Sequence, residues 1–567
     1  RALCGLFAEV LGLPGVTAVG PDDSFFELGG DSITSMQLAA RARREGMRFG
    51  AREVFERKTP AGLAAIVGLG GEPAAGPADG VGEIAWTPVM RALGDGITGS
   101  RFAQWVVLGA PPELRVDVLA AGLAAVVDTH DMLRSRVVDD RAGRRLVVGE
   151  RGSVDTARLV TRVDGAGRAL DEVVERAVRE AVERLDPAAG VMAQVVWVDA
   201  GPARTGRLAL VVHHLAVDGM SWRILVPDLR LACEAVAEGR DPALEPVWGS
   251  FRRWAALLEE SALSRERVDE LRTWRTIVGQ EDRPIGRRSP NAGRDAAGGV
   301  RSRSWVMSGA EASVLVGKVP VAFHCGVHEV LLAGLAGAVA RRHGVHGVLV
   351  DVEGHGRHPA GGMDLSRTVG WFTSLHPVRL DVTGIDLAAV PAGGRAAGEL
   401  LKVVKEQSRA APGDGLGYGL LRYLNPGTGP VLAALPSPRI GFNYMGRFVT
   451  GDQGGARAWQ PVGRIGGSMD PGMGLPHALE CNAVVHDTPE GPELVLTVDW
   501  RNDLLEEAEV DGLCRAWLDM LSGLSRQADD PSAGGHTASD FALLDLDQDE
   551  IESFEAIAAE LSGGQAS

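Results

Sequence analysis

The sequence has 567 residues, more than one hydrophobic core usually organises, so it predicts at least two domains. Hydrophobic residues make up 45% and charged residues 23%, as in a soluble globular protein, and no apolar run approaches the roughly 18 residues of a membrane span, so no membrane partner is expected. The formal net charge of -17 argues against non-specific nucleic-acid binding, because that binding depends on cationic side chains that neutralise phosphates.

The cysteine spacing and the first residues bear on the cellular compartment, which we expect to be the cytoplasm. The five cysteines are widely separated and form no CxxC pair, which argues against a zinc knuckle and a disulfide framework. We therefore expect no bound metal and a reducing environment. No basic region followed by an apolar stretch and a cleavage site is visible, so a cytoplasmic location is expected. The chain opens with Arg1-Ala-Leu-Cys without an initiator Met, as a fragment of a longer polypeptide would.

Residues 1–68 are predicted to form a small helical bundle. Two stretches of this segment place apolar side chains on one helical face. The next segment, 69–83, is rich in Gly, Pro and Ala without apolar periodicity, which is the composition of a flexible linker. The apolar positions of the two helical stretches are Leu3, Leu6, Phe7 and Val10, and then Ile33, Met36 and Ala40.

From residue 84 to about residue 530 the pattern alternates between apolar strands and helices, which predicts a mixed α/β body. Helices are predicted at 170–185 and 328–343. The second of these ends in a cationic turn before Gly344, as helix C-termini favour. The predicted strands are 105–108, 208–212, 347–352, 439–444 and 494–498.

The last segment, 531–567, is predicted to be an acidic linker or docking tail. Within it, residues 545–561 place Ile551, Phe554 and Leu561 on one helical stripe with acidic residues around it. An acidic amphipathic helix of this kind could dock on a basic partner. A solvated terminal extension explains the same pattern at least as well.

Ser32 stands where a helix is predicted to begin, directly after Gly29, Gly30 and Asp31. A hydroxyl at a helix N-terminus is well placed to carry a phosphate, although an N-cap role for Asp31 or Ser32 explains the same residues. The whole segment 23–33, Asp-Ser-Phe-Phe-Glu-Leu-Gly-Gly-Asp-Ser-Ile, resembles the peptidyl carrier domains of nonribosomal peptide synthetases.

This resemblance implies a small all-α four-helix carrier domain whose Ser32 bears a 4′-phosphopantetheine arm, attached by a phosphopantetheinyl transferase. Asp31 directly before the serine is similar to the carrier subtype that feeds an epimerization domain. The resemblance also implies an apolar docking face beside the arm, formed by Leu28, Ile33 and Met36. Packing in the helix core explains Ile33 and Met36 equally well.

Two adjacent histidines, His213 and His214, end the strand predicted at 208–212. Strand alternation points them to opposite faces, so one of them can face a given cleft. A histidine at a strand end is more often structural than catalytic. The pattern His213-His-Leu-Ala-Val-Asp-Gly219, followed by Met-Ser-Trp-Arg-Ile-Leu, is similar to that of the condensation-domain superfamily.

That superfamily has two chloramphenicol-acetyltransferase-like α/β lobes with a tunnel between them. The resemblance implies an N-terminal lobe at 84–300 and a C-terminal lobe at 301–530, with His214 facing the reaction centre.

The same motif implies supporting roles for His213, Asp218 and Gly219. Asp218 is expected to fix the loop by an ion pair, and Arg134 or Arg136 is a candidate partner.

Glu353 follows the strand predicted at 347–352 and precedes Gly354-His-Gly-Arg357. An isolated Glu at a strand-to-loop junction is by default a surface residue. The block 353–357 looks like a signature of epimerization domains, and four later blocks do as well. The later blocks are 365–374, 405–409, 417–423 and 442–446.

Epimerising an α-carbon requires removing a proton from one face and returning one to the other, which suits two titratable groups. The candidates are Glu353 and His214. With ordinary pKa values of about 4.3 and 6.5 both are weak bases towards a C–H bond, so burial should raise the pKa of Glu353. Donors must also hold the charge on the thioester oxygen. Asn443 and Tyr444, expected to aim at the same cleft, are candidates for these donors or for residues that orient the acid/base pair. Arg367 is expected to act electrostatically or structurally.

Two positions depart from the family pattern. Phe102-Ala103-Gln104 stands where Phe-Asn-Gln is often found, and His358 follows Arg357 where an acidic residue is common. Both departures leave the shape and specificity of the tunnel open.

These patterns predict a carrier-epimerase that converts the L residue on its own arm into an L/D mixture. An upstream adenylation domain would load the arm, and a downstream condensation domain would take the D form, in the same or a partner synthetase. One alternative is a condensation domain that uses His214 on an incoming amine, and Glu353 and the block 442–446 argue against it. The other is a catalytically silent docking domain, and the intact His213 and Asp218 argue against that.

Overall fold

The computed structural model describes residues 1–11, 13, 19–26, 28, 30, 32–50, 53–54, 57–69, 80–141, 143–280, 285–291, 294–307, 309–358, 363–449, 457–463, 465–488, 490–528, 533–541, 548, 550–551 and 553–554. The first domain has a core of its own, built around Phe7 and Phe25. Helix α3 begins at Pro60 because Pro suits the first helical position and the Thr59 hydroxyl accepts a hydrogen bond from the Gly62 N–H. The elements of this domain are α1 (Ala2–Val10), α2 (Ser32–Arg44), β1 (Met47–Arg48), α3 (Pro60–Ala64) and β2 (Gly68–Leu69).

The predicted count of four helices in the first domain is not confirmed. Residues 53–54 and 57 are helical, but neighbouring residues lie outside the described part of the chain. Strands β1 and β2 pair antiparallel, which the sequence pattern did not predict. Paired structure therefore reaches Leu69, one residue into the expected linker.

The described part of the body contains two large sheets. The first holds five strands in the order β14 (Gly466–Ser468), β4 (Ala103–Ala110), β9 (Gly206–His213), β8 (Ala193–Asp199) and β7 (Val160–Asp164). A separate three-stranded sheet has the order β3-β6-β5, so the strand at residues 82–84 joins the body within the expected linker. The predicted helix at 170–185 ends two residues early. The elements of this half are β3 (Gly82–Ile84), α4 (Pro88–Leu93), β4 (Ala103–Ala110), α5 (Val116–Thr129), β5 (Ser135–Asp140), β6 (Gly143–Val148), β7 (Val160–Asp164), α6 (Leu170–Glu183), β8 (Ala193–Asp199), β9 (Gly206–His213), α7 (Trp222–Ala237), α8 (Phe251–Ala262), α9 (Arg265–Asp269) and α10 (Leu271–Val278).

The second sheet holds six strands in the order β10-β16-β15-β13-β11-β12, and β13 is parallel to both of its neighbours. All five predicted strands of the body and both predicted helices are present. The elements of this half are β10 (Val300–Met307), α11 (Gly309–Ser313), α12 (Val319–Ala322), α13 (Val327–His343), β11 (Gly347–Gly354), β12 (Ser374–Asp381), α14 (Arg395–Arg409), α15 (Gly417–Gly419), α16 (Gly429–Ala433), β13 (Ile440–Val449), β14 (Gly466–Ser468), β15 (Leu479–Thr488), β16 (Gly491–Arg501) and α17 (Glu507–Gln527).

Alternation gives the six-stranded sheet one apolar and one polar face. Val350 and Val352 of β11 and Phe442 of β13 pack into a core with helices α13, α14 and α17. The residues between them point the other way because successive strand residues face opposite sides. This polar face carries Asp351, Glu353, Gly441, Asn443, Glu480 and Asn482, which lie on three neighbouring strands.

The two halves of the body interlock. Strand β14 of the second half pairs with β4 of the first sheet, and the Gly109 and Trp459 backbones bond beside it. Trp371 and Phe372 also pack into the first core. The expected lobes at 84–300 and 301–530 therefore share strands and core residues across their boundary.

The beginning of the expected tail packs on the body. Residues 533–541 lie beside α14, where Thr537 is fully buried and Asp540 forms ion pairs with Lys405 and Arg409. Most of the predicted amphipathic helix at 545–561 lies outside the described residues. Of its predicted stripe, Ile551 is buried and Phe554 is exposed.

Helix α13 is buried on nearly all sides and ends, as predicted, at a left-handed Gly344 with φ of 62°. In the part of the chain that the structure describes, no single helix has the length and apolar character to cross a membrane. One bent pair, 309–322 with 327–343, passes that test together by length and composition.

Candidate functional site

The two histidines at the end of β9 have different surroundings. His213 is fully buried, its Nε2 donates to the Gly99 carbonyl at 2.9 Å, and its Nδ1 accepts from the Leu215 N–H at 3.3 Å. Burial lowers the pKa of His213 to about 4, so the ring is neutral at physiological pH. His213 therefore supports the loop and points away from the cleft.

His214 is half-buried and faces aromatic rings. It stacks on Phe102 with ring centres 4.7 Å apart and planes within 8°, and the ring of Trp371 lies 4.8 Å away. Burial lowers the pKa of His214 below its ordinary value. The imidazole is thus neutral, and stacking on Phe102 fixes the plane of its ring.

A hydrogen-bond relay fixes which nitrogen of His214 carries the lone pair. The Trp222 Nε1–H, which can only donate, donates to Oε1 of Gln104 at 3.0 Å. The amide nitrogen of Gln104 must then face His214, and it lies 2.9 Å from His214 Nε2. Since that amide group donates, Nε2 accepts and the proton sits on Nδ1. Nε2 is therefore the basic atom of the ring.

Asp218 is paired with Arg357, which corrects the expected partners Arg134 and Arg136. Arg357 Nη2 donates to both Asp218 oxygens, at 2.8 and 3.0 Å, and both side chains are buried. Arg134 instead donates to the backbone carbonyls at the end of α5 and to Asp131, so its guanidinium is already engaged. Arg136 is exposed.

The Asp218–Arg357 ion pair joins the loops that carry the two candidate acid/base residues. His214 lies four residues before Asp218, and Glu353 lies four residues before Arg357. A second connection runs through β12, where Leu375 pairs with Glu353 and is four residues beyond Trp371, which contacts His214. The structure thus brings both candidates to the boundary between the two halves.

Glu353 is exposed to solvent at the end of β11, yet many protein atoms lie around its carboxyl. Burial, followed by the charge of Glu480, raises the pKa of Glu353 to about 7. The raised pKa agrees with the expectation from sequence, and the carboxyl can both take up and release a proton near neutral pH.

Asn443 and Tyr444 lie on opposite faces of β13, which corrects the expectation that both aim at one cleft. Asn443 lies on the polar face with Glu353, one register step beyond the Asp351–Gly441 pair. Tyr444 follows Phe442 onto the other face and packs against the second core. The physical reason is strand alternation.

Arg367 and Gly219 were expected to be supporting residues. Arg367 donates to Asp228 at 2.6 Å, and Asp228 bonds Nε2 of His130 at 2.8 Å, so Arg367 ties its loop to helix α7. Gly219 is exposed, and a Cβ added there would meet nothing within 4 Å. No steric requirement for glycine is visible at position 219.

In the first domain, helix α2 begins at Ser32, as predicted. A 13-residue helix places its positive dipole end at that residue, which suits an attached phosphate. Leu28 is half-buried against the core of this domain. The side chains of Ile33 and Met36 lie outside the described part, so their docking role stays a prediction.

One contact connects α2 to the loop that follows Arg357. Arg43 near the end of α2 forms an ion pair with Asp364. Among the described residues, no group of three or more His, Cys, Asp and Glu side chains is arranged to hold a metal ion.

Comparison with known proteins identifies the family. A family model for the condensation domain matches residues 98–545, and one for the phosphopantetheine attachment site matches residues 1–67. The chain belongs to the condensation-domain family. A linear gramicidin synthase of Brevibacillus parabrevis is 33% identical over 564 residues, which make up 98% of this chain and 10% of that protein. The chain therefore spans about a tenth of the length of this relative.

Two solved structures of this family are similar to the chain. The epimerization domain from the third module of tyrocidine synthetase B is 26% identical, with a TM-score of 0.68, over 80% of this chain and 99% of that one. The first condensation domain of the CDA synthetase is 20% identical, with a TM-score of 0.56, over 80% and 98%. The second likeness shows the fold. The chain thus joins a carrier domain with a phosphopantetheine attachment site to a condensation-type domain.

Sequence reasoning missed several residues of this condensation-type site. Arg357 belongs to the block 353–357, and its place after a strand end was a usable signal for an ion-pair role. Gln104 belongs to a segment that departs from the family pattern, and its role beside His214 was not predicted. Trp371 lies in the block 365–374, but that block did not predict its contact with His214. His477 gave no sequence signal, because it reaches Asp351 only through a contact between distant segments.

Proposed function

We propose that this chain epimerises the α-carbon of an aminoacyl or peptidyl residue held as a thioester on the Ser32 arm, giving an L/D mixture. His214 and Glu353 act as the acid/base pair. The observation that carries the proposal is Glu353, a carboxyl on the polar face of the second sheet with a pKa raised to about 7. It lies at the end of β11, directly before the loop whose Arg357 is bound to the His214 loop. Similarity to the tyrocidine synthetase epimerization domain supports it.

The protonation states at rest assign the first step. His214 is neutral with its lone pair on Nε2, and Glu353 is largely protonated below about pH 7. When the substrate binds, its α-C–H replaces the Gln104 amide at the Nε2 lone pair, and His214 Nε2 takes the α-proton of the L residue from one face. Glu353 then returns a proton to the other face, and the reverse reaction exchanges these roles.

The charge that develops on the thioester oxygen needs a donor. Asn443 lies on the same polar face as Glu353 and is half-buried, so its amide is the donor that the geometry favours. Tyr444 packs against the second core, so we assign it no contact with the substrate.

The start of α2 at Ser32 fits an attached phosphopantetheine group, because a helix N-terminus favours a phosphate. Once attached, the group supplies a thioester, which makes the α-carbon more acidic than an amide does. We further propose that a phosphopantetheinyl transferase installs it, that an upstream adenylation domain loads it and that a downstream condensation domain takes the D form.

The test is α-proton exchange in D₂O. The carrier is primed at Ser32, loaded with an L-aminoacyl group, and analysed by mass spectrometry and by chiral analysis of the released residue. Wild-type protein is expected to take up deuterium and give both enantiomers. Glu353→Gln and His214→Ala are each expected to slow exchange by roughly 10²- to 10⁴-fold.

Matched controls are Glu490→Gln and His346→Ala, which change exposed residues of the same types. Both controls are expected to exchange like wild type. Exchange at the wild-type rate in Glu353→Gln and His214→Ala would contradict the two-residue mechanism. Transfer of the acyl group to an added amine acceptor without exchange would assign condensation instead. The absence of both reactions would assign a docking domain.

A further inference from the structure

The His477 ring lies over Gly441 on the polar face that carries Glu353. No sequence motif marks this histidine. Its ring is 5% exposed. Nδ1 lies 2.7 Å from Oε1 of Glu480, and Nε2 lies 2.9 Å from Oδ2 of Asp351. Since ionised carboxylates only accept hydrogen bonds, both ring nitrogens donate and the ring carries a positive charge.

The charge state of His477 agrees with this geometry. Burial alone would lower the pKa of His477, but the attraction of Glu480 and the hydrogen bonds to Asp351 and Glu480 outweigh it. The pKa of His477 therefore lies well above its ordinary value.

Gly441 makes room for the His477 ring. It lies in β13, where it pairs with Asp351 of β11 on one side and with Glu480 of β15 on the other. A Cβ at position 441 would lie 2.2 Å from Glu480 Oε2 and 2.6 Å from His477 Nδ1. Any side chain there would displace the ring, so glycine is required at this position of the cluster.

The cluster acts directly on Glu353. Asp351 precedes Glu353 by two residues and shares its face of β11. After burial, the groups that shift the pKa of Glu353 are Glu480, which raises it, His477, which lowers it, and Asp351, which raises it. The two carboxylates also face other titratable groups: Asp351 acts on His376, Tyr418 and Tyr423, and Glu480 acts on Cys481 and Asp499.

We propose that His477, held between Asp351 and Glu480, is a positioning residue that sets how readily Glu353 takes up and releases a proton. The inference rests on the proposed function, because it takes Glu353 as the acid/base group. The imidazolium keeps the two carboxylates in one arrangement and offsets part of their negative field at Glu353.

The test uses two substitutions with opposite expected signs. His477→Gln removes a positive charge, so the pKa of Glu353 is expected to rise by about one unit. Glu480→Gln removes a negative charge, so the pKa of Glu353 is expected to fall by about one unit. A purely structural role would not separate the two variants in opposite directions.

The measurement is a pH titration of the Glu353 carboxyl by ¹³C NMR in the unloaded full chain, assigned by difference from Glu353→Gln. The pH dependence of α-proton exchange in the loaded chain provides the second readout. Glu490→Gln, in the exposed turn between β15 and β16, is the control and is expected to shift neither. If His477→Gln does not fold, Asp351→Asn replaces it, with a downward shift expected.

The outcomes are separable. Opposite shifts in His477→Gln and Glu480→Gln, or downward shifts in Asp351→Asn and Glu480→Gln, support the inference. Shifts in one common direction for the first two variants, or no shift in the folded variants, overturn it. A wild-type chain that shows no α-proton exchange at any pH overturns the proposed function, while the carboxyl titration still decides the role of His477.

Discussion

Different kinds of side chain surround the two candidate acid/base residues. On the N-terminal side His214 is held by the aromatic rings of Phe102 and Trp371 and by an uncharged amide. On the C-terminal side Glu353 lies among charged groups. Burial disfavours the charged form on both sides, so it lowers the pKa of the imidazole and raises that of the carboxyl.

The opposite pKa shifts suit the two weak bases to a mechanism in which one removes a proton and the other returns one. The pKa of His214 is lowered and that of Glu353 is raised to about 7, so near pH 7 the imidazole is neutral and about half of the carboxyl groups are protonated. The direction of the first proton transfer follows from this resting state. The pair functions only if both sides stay joined, and the Asp218–Arg357 ion pair joins them.

Breaking that connection has the largest expected effect. Arg357→Ala leaves the Asp218 carboxylate buried without its partner, which should lower the free energy of unfolding by about 3–5 kcal/mol. Urea unfolding measures it, and α-proton exchange should be lost as well. Arg145→Ala, which removes exposed ion pairs with Glu83 and Asp140, is the control and should leave the free energy of unfolding nearly unchanged. Equal small losses in both variants would show that the connection is unimportant.

The two faces of β13 provide the next test. Asn443→Ala should slow exchange by roughly 10²-fold or more, because it removes a donor on the polar face. Tyr444→Phe should stay within a few-fold of wild type, because that ring packs against the second core. Rates of loaded chains under identical conditions measure both. The reverse order of effects would place the tyrosine at the substrate.

The hydrogen bond from Gln104 to His214 can be removed while the imidazole base is kept. Gln104→Leu should slow exchange by roughly 10- to 100-fold, because His214 loses the partner that orients its ring. In ¹⁵N NMR spectra the wild-type ring should show the proton on Nδ1, and the variant should show a mixture of tautomers. Gln280→Leu, which changes an exposed residue just after α10, is the control. An unchanged tautomer in Gln104→Leu would contradict the relay.

The smallest effect concerns pH. The pKa of Glu353 is raised to about 7, so the carboxyl is protonated below that pH and ionised above it. Epimerization that starts from the L residue needs the protonated form, and its rate should therefore fall by about tenfold per unit above pH 7. Single-turnover rates from pH 6 to 9 measure this. A rate that rises through this range would make Glu353 the base of the first step.

Particular residues show how far sequence reasoning reached. The strand ends at His214 and Glu353 were predictable because apolar runs that precede polar motifs mark them. The opposite faces of Asn443 and Tyr444 followed from the same alternation, which had been applied to His213 and His214 but not to β13. The partner of Asp218 was predicted wrongly, because Arg134 is closer in sequence and sequence distance does not show that its guanidinium is already engaged.

The sequence by itself determined the motifs, the strands that carry them and the alternation that turns a side chain towards or away from the cleft, since these depend on neighbouring residues. Only the tertiary structure decided which distant groups surround each candidate. Gln104 and Trp371 reach His214, and His477 reaches Asp351, across more than one hundred residues of chain. The pKa of a buried group depends on the charges and the solvent that remain near it, and the folded chain sets both.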